Sequence, residues 1–505
     1  MARPEVGIGN WANRVRFAGG DKPYAYVPNS LLVDADADPE VVTTIVEGAT
    51  PWRPPIVDGP GQEPDAEAGV TGGFRRWTFL GDVPSAVQRL RGAGVRAQPV
   101  HVFFLDAGPG DVGANPVYGN PVYGNPVYGN PVYGNPVSGN PEYGNPVYGN
   151  PSAGASGPPP PLPCCCDDDP CQCRTSPPAA PASFVYPNPA YVATVYPGGE
   201  GLPYKLTGQR RSQARPLLGI DAARLGEVGD WDTAPVRIAV LDTGRAAADA
   251  HLATPPGNVR GDDDKGPDSD GDHYLDPVAG HGTFIGGLIA RVAPGCGLMI
   301  KRVLSDYGDG DEQAIGDAIE ELIEPARCGH EAPHLLNLSF SGYVLEDDGA
   351  TCLRNAIRKA ARKGIIVVAS AGNDGICRRA YPAAFTGVVG VGALGEEGPA
   401  PFSNWGAWVR ACAPGVDVAS TFYEYTSGRE RMRYGLDPDL YEGFATWSGT
   451  SFAAPVVVGV LARTMMDRGL TANQAVEAII DQTGLFHLRC YGTVVNTLAV
   501  RPLCP

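Results

Sequence analysis

Apolar and polar residues alternate over the first hundred positions in a way that predicts a small domain of mixed helices and strands. Asp38 is followed by Pro39, which marks a helix start, because aspartate caps the first turn and proline suits its first position. A second helix is expected to begin near Asp82. We therefore expect residues 1–105 to form a small α+β domain. Its expected strands are residues 26–33, 74–80 and 95–104.

From residue 213 to residue 505 short apolar runs alternate with helix-like segments. Runs bounded by glycine, proline, aspartate or asparagine are typical of parallel strands that are buried on both faces. Helical periodicity falls between them, for example at residues 317–323 and 352–362. This alternation predicts a doubly wound, mostly parallel α/β domain with its site at the carboxyl ends of the strands. The expected strands are residues 236–241, 298–303, 335–340, 365–369 and 388–391.

Residues 106–212 show neither kind of periodicity. A five-residue repeat, Pro-Val-Tyr-Gly-Asn, fills residues 116–150 in seven copies, two of them varied at Ser138 and Glu142. A proline at every fifth position removes a backbone donor, and Gly-Asn and Asn-Pro favour turns. We therefore expect a long, disordered, Pro/Gly-rich linker between two folded domains.

A cluster of five cysteines and three aspartates occupies residues 164–173 of this linker. Thiolates bind soft metals and respond to oxidation, so metal binding is one interpretation of the cluster. No histidine or second cysteine pair completes a known metal-site spacing there. An acidic, cysteine-rich stretch of disordered chain is the simpler interpretation.

The chain carries a formal net charge of −17, which argues against a general affinity for nucleic acid or anionic membranes. Neutral or basic polypeptides are the expected partners. No stretch approaches the roughly 20 apolar residues of a membrane-spanning helix, and residues 1–17 lack the apolar run of a secretory signal. Of the twelve cysteines, seven are scattered through the second half of the chain without a module-like spacing. A cytoplasmic location is therefore expected, with export by an unrecognised route or a misassigned start codon as the alternative.

Three short motifs in the second domain carry reactive side chains. Asp242 directly follows the strand expected at residues 236–241 and precedes Thr-Gly, which places its carboxylate at the strand's carboxyl end. His281 lies in a Gly-His-Gly-Thr turn that opens a small-residue helix, and Ser451 lies in Ser-Gly-Thr-Ser-Phe-Ala-Ala-Pro before a buried helix. A nucleophilic serine needs a base for its proton and a carboxylate that orients the base, and these three residues supply that set.

The Asp-Thr-Gly, His-Gly-Thr and Gly-Thr-Ser-x-Ala-x-Pro segments, in that chain order, resemble those of the subtilisin-like serine proteases. The resemblance covers residues 213–505 and implies a serine endopeptidase. Ser451 would attack the scissile carbonyl, His281 would transfer the proton, and Asp242 would orient the imidazole. Asn373, in an Ala-Gly-Asn segment, matches the family's side-chain donor to the oxyanion. The resemblance implies that no cofactor is required for these steps.

The same resemblance assigns a substrate-binding cleft. Phe284 and Val456 stand where many relatives carry another histidine, and Ser341 stands where a glycine is common. Ser341 therefore leaves open the depth of the cleft and the preferred side chain. The residues expected to bind substrate are Ser339, Phe340, Ser341, Gly342, Ser370, Ala371 and Gly372.

An acidic loop, residues 261–276, precedes His281 and is a candidate calcium site. Its aspartates surround Gly271 at spacings that suit calcium, although the loop is shorter than an EF-hand loop and lacks its final glutamate. A solvated surface loop is the alternative interpretation. The candidate calcium ligands are Asp268, Asp270, Asp272 and Asp276.

Residues 1–105 take the place of the prodomain that folds and inhibits secreted members of the family. The resemblance thus implies that this domain docks on the peptidase domain. The linker is longer than prodomains usually have, so an adaptor that recognises substrates is an equal alternative. A long tether lowers the effective concentration of the docking domain without preventing docking.

Two other functions compete with general proteolysis. A specialised enzyme that processes leader peptides or joins peptide ends is the main alternative, with the repeats at residues 116–150 as an internal substrate or a docking array. A plain spacer is the simpler interpretation of those repeats. A non-catalytic binding protein on this scaffold is disfavoured, because the chain keeps every member of the triad.

Overall fold

A computed structural model describes most of the two predicted domains. The linker repeats at residues 116–150 and the cluster at residues 164–173 lie outside the described residues, so the predicted disorder and domain boundaries stay predictions. The described residues are 15–19, 24–52, 70–105, 214–216, 227–246, 259–269, 275–276, 278–305, 307–325, 329–346, 349–396, 398–426 and 440–495.

The N-terminal domain is an antiparallel sheet with two helices, and β2 lies between β5 and β6. Both helices begin at the predicted aspartates, because Asp38 accepts a hydrogen bond from the Glu40 amide and Asp82 accepts one from the Ser85 amide, each at 2.9 Å. The elements are β1 (Arg16–Ala18), β2 (Tyr24–Asp34), α1 (Pro39–Ile45), β3 (Thr50–Pro51), β4 (Val70–Thr71), β5 (Phe74–Thr78), α2 (Val83–Gly92) and β6 (Ala97–Leu105).

The second domain begins with β7 (Arg215–Pro216), β8 (Arg237–Asp242), β9 (Arg260–Gly261), α3 (His281–Val292), β10 (Gly297–Arg302), β11 (Asp309–Asp311), α4 (Glu312–Leu322), β12 (Leu335–Leu338), β13 (Phe340–Ser341) and α5 (Thr351–Arg362). It continues with β14 (Ile366–Ser370), β15 (Val389–Gly395), β16 (Gly398–Pro399), β17 (Val409–Pro414), β18 (Val418–Thr426), β19 (Leu440–Trp447), α6 (Thr450–Arg468), α7 (Ala472–Val476), β20 (His487–Leu488) and β21 (Gly492–Val494).

The central sheet of this domain runs in the order β20-β21-β17-β15-β14-β12-β8-β10-β9, with β16 joined to β15. Its pairs from β17 to β9 are parallel. The strand order reverses at β8, because the chain pairs β10 on one side of it and β12 on the other. Ligands of open parallel sheets bind at the carboxyl ends of the strands beside such a reversal. Asp242, the last residue of β8, lies there.

Helices cover both faces of this sheet, and alternate residues of β8 face opposite layers. Val240 packs in the core cluster of α3 and α6, whereas Leu241 packs in the cluster of α4 and α5. Both side chains are fully buried. Burial of a residue of this size contributes about 1.5 to 3 kcal/mol, so the two layers hold the site's strand firmly.

The prediction of one strand over residues 335–340 is wrong. The strand breaks at Ser339, where β12 ends and β13 leaves the central sheet to pair with β6. The helix predicted at residues 317–323 starts earlier, at Glu312, because Asp311 caps it by accepting hydrogen bonds from two amides at 3.0 Å. The strand predicted at residues 388–391 extends to Gly395. Each difference reflects a contact with residues distant in sequence or a cap outside the apolar run.

Strand β6 connects the two domains. Its last residues pair antiparallel with β11 on one edge, where Asp309 lies opposite Phe104, and with β13 on the other edge, where Phe340 lies opposite Leu105. Every residue of β6 is buried. One eight-stranded sheet therefore contains strands from both domains.

Polar side chains of β6 contact the first residues of two helices in the second domain. Gln98 accepts a hydrogen bond from the Thr351 amide of α5 at 3.2 Å and donates to Glu312 of α4 at 2.9 Å. Helix α5 follows Ala350, whose side chain provides no cap. His101 Nδ1 lies 2.7 Å from the same Glu312 carboxylate. The N-terminal domain thus supplies the side-chain cap of α5.

Cysteines of the described residues include both disulfide and thiol forms. Cys490 takes part in a disulfide, whereas Cys296 and Cys412 are buried thiols. Burial raises the pKa of the Cys296 and Cys412 thiols to about 12, so both stay protonated and unreactive at neutral pH. Within the described ranges, no helix has the length and apolar character needed to cross a bilayer.

Candidate active site

Asp242 and His281 form the centre of the site. His281 is the first residue of α3, and its Nδ1 lies 2.8 Å and 3.0 Å from the two carboxylate oxygens of Asp242. One of these oxygens also accepts a hydrogen bond from the Thr243 amide at 2.8 Å. A carboxylate in this position holds the hydrogen on Nδ1 and leaves Nε2 available as a base.

The His-Gly-Thr motif fastens α3 to the turn after Asp242. A β-carbon on Gly282 would lie 2.1 Å from the Gly244 carbonyl oxygen, so only glycine allows this approach. The Gly282 amide donates to the Thr243 hydroxyl at 3.2 Å, and the Thr283 hydroxyl accepts from the Ala246 amide at 2.8 Å. These contacts fix the separation of the histidine and the aspartate.

Ser451 is the second residue of α6, beside Ser339. Its hydroxyl donates to the Ser339 carbonyl at 2.8 Å, and the Ser339 hydroxyl donates to the Ser451 carbonyl at 2.8 Å. Nε2 of His281 is buried and has no hydrogen-bond partner. Asp242 and His281 are therefore connected by a direct hydrogen bond. The Ser451 hydroxyl must first break its hydrogen bond to the Ser339 carbonyl before it can pass its proton to Nε2 of His281. Asn337, whose amide donates to the Ser339 hydroxyl at 2.9 Å, was missed as a functional residue.

Asn373 lies against the first turn of α6. Its carboxamide oxygen accepts hydrogen bonds from the Thr450 amide at 3.0 Å and the Thr450 hydroxyl at 2.8 Å. This orientation makes the carboxamide nitrogen the donor end. The Ser451 amide belongs to the first turn of α6, where amides have no acceptor within the helix. These two donors can together stabilise a negative oxygen next to the serine.

The rings of Trp447 and Phe452 pack against the imidazole and Phe284 packs against both of them, and we call Phe284, Trp447 and Phe452 the aromatic enclosure. The His281 ring centroid lies 5.4 Å from that of Trp447 and 5.2 Å from that of Phe452, while Phe284 lies 4.7 Å from Phe452. Asp242, His281 and Ser451 are each 0% exposed. All three side chains are therefore shielded from bulk solvent in this arrangement. Trp447 and Phe452 were not predicted as site residues, although Phe452 directly follows Ser451.

The expected substrate-binding residues lie in two chain segments beside Ser451. Ser339, Phe340, Ser341 and Gly342 include β13, and its edge is paired with β6. Ser370 ends β14, and Ala371 and Gly372 follow it. Asn404, not predicted as a site residue, holds the second segment, since its side chain donates to the Ala371 carbonyl at 3.0 Å and its amide donates to the Gly372 carbonyl at 2.9 Å.

Asp374, directly after Asn373, is a buried carboxyl group that catalysis does not use. It accepts a hydrogen bond from the Tyr343 hydroxyl at 2.6 Å. Burial raises its pKa from 3.8 to about 6, against the opposing effects of Tyr343 and Arg378. Below its folded pKa the group is neutral and tolerates burial, whereas at higher pH burial of its charge destabilises the fold.

Replacing Asp374 with asparagine should remove a pH dependence of stability. A carboxyl whose pKa is higher in the folded state makes the free energy of unfolding fall as pH rises from about 4 to about 6, by up to about 2 kcal/mol. Asparagine still accepts from Tyr343 but does not ionise. Urea unfolding at pH 4.5 and pH 7 measures the difference, with Asp467→Asn on the exposed surface as control. The same pH slope in wild type and Asp374→Asn would contradict this assignment.

The candidate calcium loop is only partly described. Asp276 already accepts hydrogen bonds from the Ser269 amide at 2.9 Å and the Ser269 hydroxyl at 2.5 Å. Asp270 and Asp272 lie outside the described residues, while Asp268 is among them. Among the residues that the structure describes, no group of three or more His, Cys, Asp or Glu side chains could hold a metal ion. The calcium site stays a prediction.

Residues 234–492 match the family model described as the Subtilase family. This range is more than half of the chain. The chain belongs to the subtilase family. This subtilase is similar to the thermophilic serine proteinase of Bacillus sp. (strain AK1), with 35% identity over 227 residues, which cover 42% of this chain and 50% of the relative. It is also similar to the M-protease of Shouchella clausii (strain KSM-K16), with 30% identity covering 52% of this chain and 63% of the relative.

Subtilisin DY of Bacillus licheniformis is 31% identical to this subtilase, and the match covers 49% of this chain and 81% of the relative. Among solved structures, a cold adapted subtilisin-like serine proteinase matches with a TM-score of 0.39 and 24% identity, over 54% of this chain and 91% of that one. A lanthipeptide protease matches with a TM-score of 0.40 and 23% identity, over 52% and 85%. The chain thus spans only half the length of the thermophilic proteinase.

Proposed function

We propose that this subtilase is a serine endopeptidase that hydrolyses peptide bonds of polypeptide substrates through Asp242, His281 and Ser451. The observation that carries the proposal is the Asp242–His281 hydrogen bond at the carboxyl end of β8, with Ser451 at the start of α6. Hydrolysis of an unstructured protein such as casein tests it. The proposal would be contradicted if the folded chain neither cleaves casein nor reacts with a fluorophosphonate, both with the N-terminal domain docked on the peptidase domain and with that domain released.

The residues divide the reaction between them. The Ser451 hydroxyl leaves the Ser339 carbonyl, passes its proton to Nε2 of His281 and attacks the scissile carbonyl carbon. Asp242 stabilises the resulting imidazolium. Nε2 then gives the proton to the departing amine, which leaves an acyl-enzyme that water releases by the same steps in reverse. The Asn373 carboxamide and the Ser451 amide donate hydrogen bonds to each tetrahedral oxyanion.

Replacing Asn373 with leucine should lower kcat about 10²- to 10³-fold, because one oxyanion donor is lost while the side-chain size is kept. KM should stay nearly constant, since the interaction forms mainly in the transition state. Steady-state kinetics on a chromogenic peptide give both constants. Asn473→Leu, at an exposed position of α7, is the control and should leave both constants unchanged. A rise in KM without a fall in kcat would argue against this role for Asn373.

We further propose that the N-terminal domain is an inhibitory, prodomain-like module that docks on the peptidase domain. Pairing of β6 with β13 supports this, because Phe340 and Ser341 then have their backbone edge occupied. An extended substrate would need the same edge, so substrate and β6 exclude each other. The contacts of Gln98 and His101 with Glu312 also favour docking. An adaptor role, the alternative, would leave this edge open.

A specialised subtilase that processes precursor peptides or joins peptide ends is the second candidate. The aromatic enclosure supports it, because rings around His281 limit the access of water to an acyl-enzyme. An incoming peptide amine then competes better with hydrolysis. The ratio of joined to hydrolysed product, measured with an added peptide amine, distinguishes the two candidates. A cytoplasmic location and calcium in the acidic loop stay proposals, and none of the steps above requires a cofactor.

A further inference from the structure

A gap between two chain segments lies directly beside the catalytic serine. Strands β12 and β14 pair in parallel as far as Leu338 and Ala369, and beyond them β13 pairs with β6 instead. At the far end, Gly342 and Tyr381 close the gap with two backbone hydrogen bonds of 2.9 Å. Residues 339–341 and 370–372 therefore flank a break in the strand pairing next to Ser451.

The Ser341 side chain crosses this gap. An ideal β-carbon on Gly372, in the opposite segment, would lie 3.1 Å from the Ser341 hydroxyl oxygen. Ser341 is 1% exposed while β6 is paired with β13. The hydroxyl thus reaches close to the opposite wall and shortens the space available to a substrate side chain.

The opposite wall cannot withdraw from Ser341. Gly372 has a φ of +98°, and a β-carbon on it would lie 2.3 Å from the Asn404 carboxamide nitrogen. Asn404 packs against Gly372 on the side to which a β-carbon would point, which is also the side of Ser341, and it donates hydrogen bonds to the carbonyls of Ala371 and Gly372. Its carboxamide oxygen also accepts from the Asp374 amide at 3.1 Å. Hydrogen bonds with Asn404 therefore hold the backbone of this segment in place.

A second contact fixes the distance between the two segments. The Tyr343 hydroxyl, in the chain after β13, donates to the carboxylate of Asp374 at 2.6 Å in the chain after Asn373. The Arg378 guanidinium lies 4.0 Å above the Tyr343 ring centroid. The segments are thus connected across the gap, which keeps Ser341 close to Gly372.

We propose that this gap receives the substrate side chain before the cleaved bond, and that Ser341 is a specificity-determining residue that limits this side chain to glycine, alanine or serine. This inference rests on the proposed peptidase function and adds its substrate class. Leucine or phenylalanine would have to displace the Ser341 hydroxyl or move Gly372, and both are held in a close-packed interior. A glycine at position 341 would open the gap without changing any catalytic group.

A graded series at position 341 tests the proposal in the full-length chain. The variants are Ser341→Gly, Ser341→Ala and Ser341→Thr, each made with and without Phe103→Asp, which is expected to release β6 from the cleft. Each is assayed on three peptide nitroanilides that differ only in the last residue, which is Ala, Leu or Phe. Wild type should show kcat/KM at least about tenfold higher for Ala than for Phe. Ser341→Gly should raise the ratio of kcat/KM for Phe to kcat/KM for Ala about tenfold. The kcat/KM of Ser341→Ala for Phe should lie between the values of Ser341→Gly and wild type. Ser341→Thr should lower kcat/KM for all three substrates.

The outcomes separate this inference from the proposed function. A fluorophosphonate probe reports active serine in each variant, and Ser448→Gly, at a buried serine of the second domain whose hydroxyl contacts Asp417, is the matched control. Variants that are labelled but keep the wild-type Ala-to-Phe ratio overturn the role of Ser341 and leave the peptidase function intact. A wild type that prefers Phe also overturns it. Loss of labelling and turnover in wild type and every variant overturns both proposals.

Discussion

Replacing Ser451 with alanine should lower peptide hydrolysis about 10⁶-fold and abolish labelling by a fluorophosphonate probe. The probe forms a covalent bond with an activated serine oxygen, and alanine offers no oxygen. The fold should survive, because the hydroxyl that is lost from the start of α6 makes a single hydrogen bond, to the Ser339 carbonyl. The measurements are kcat/KM on a chromogenic peptide and gel fluorescence of the labelled chain.

Ser448 provides the matched control for this substitution. It lies three residues before Ser451, and its hydroxyl contacts Asp417 and not the catalytic groups. Ser448→Ala should keep labelling and keep hydrolysis within about tenfold of wild type, as expected for a small structural change. Labelling that persists in Ser451→Ala would place the nucleophile elsewhere and contradict the proposed triad.

Replacing Phe103 with aspartate should raise peptidase activity about 100-fold by undocking β6 from the cleft. Phe103 is 0% exposed, and its ring lies 6.2 Å from that of Phe340 in the core of the second domain. Loss of the ring and burial of a carboxylate each cost several kcal/mol in the docked state. A shift of about 3 kcal/mol in the docking equilibrium corresponds to about a hundredfold change in its constant. The measurement is kcat/KM on a small peptide.

Leu80→Asp is the control for the release experiment. Leu80 belongs to the same domain but is 90% exposed, so a charge there should leave docking and activity unchanged. Circular dichroism of both variants checks that the N-terminal domain stays folded. If Phe103→Asp is folded and no more active than Leu80→Asp, then β6 does not limit access to the cleft.

The features that could be predicted from the sequence are those that depend on residues close by in the sequence. Asp38 and Asp82 cap helices within one turn of themselves, and Asp242 and His281 lie at the end and start of elements that their own flanking apolar runs define. Local propensity and short motifs decide such positions, so they can be read without knowledge of tertiary contacts. The fold of the second domain follows for the same reason, because its strands and helices alternate regularly.

Features that depend on distant contacts could not be predicted in this way. Gln98 caps a helix that begins more than 250 positions later, and no local pattern marks it as a cap. The break at Ser339 arises because β13 pairs with β6 of the other domain. Trp447 and Phe452 are apolar residues in apolar surroundings, so the sequence shows them as core. Only the folded arrangement reveals that their rings face the imidazole of His281.

In the proposed inhibitory arrangement, the cap that Gln98 provides links the stability of the N-terminal domain to the closed state of the cleft in the second domain. Helix α5 gains a partner for its first amide only while β6 is docked, and Glu312 exchanges its contact with Gln98 for water when β6 leaves. The docked arrangement therefore stabilises both units through one binding equilibrium. A destabilising substitution in the hydrophobic core of the N-terminal domain, far from the cleft, would consequently act as a gain of proteolytic activity and not as a loss.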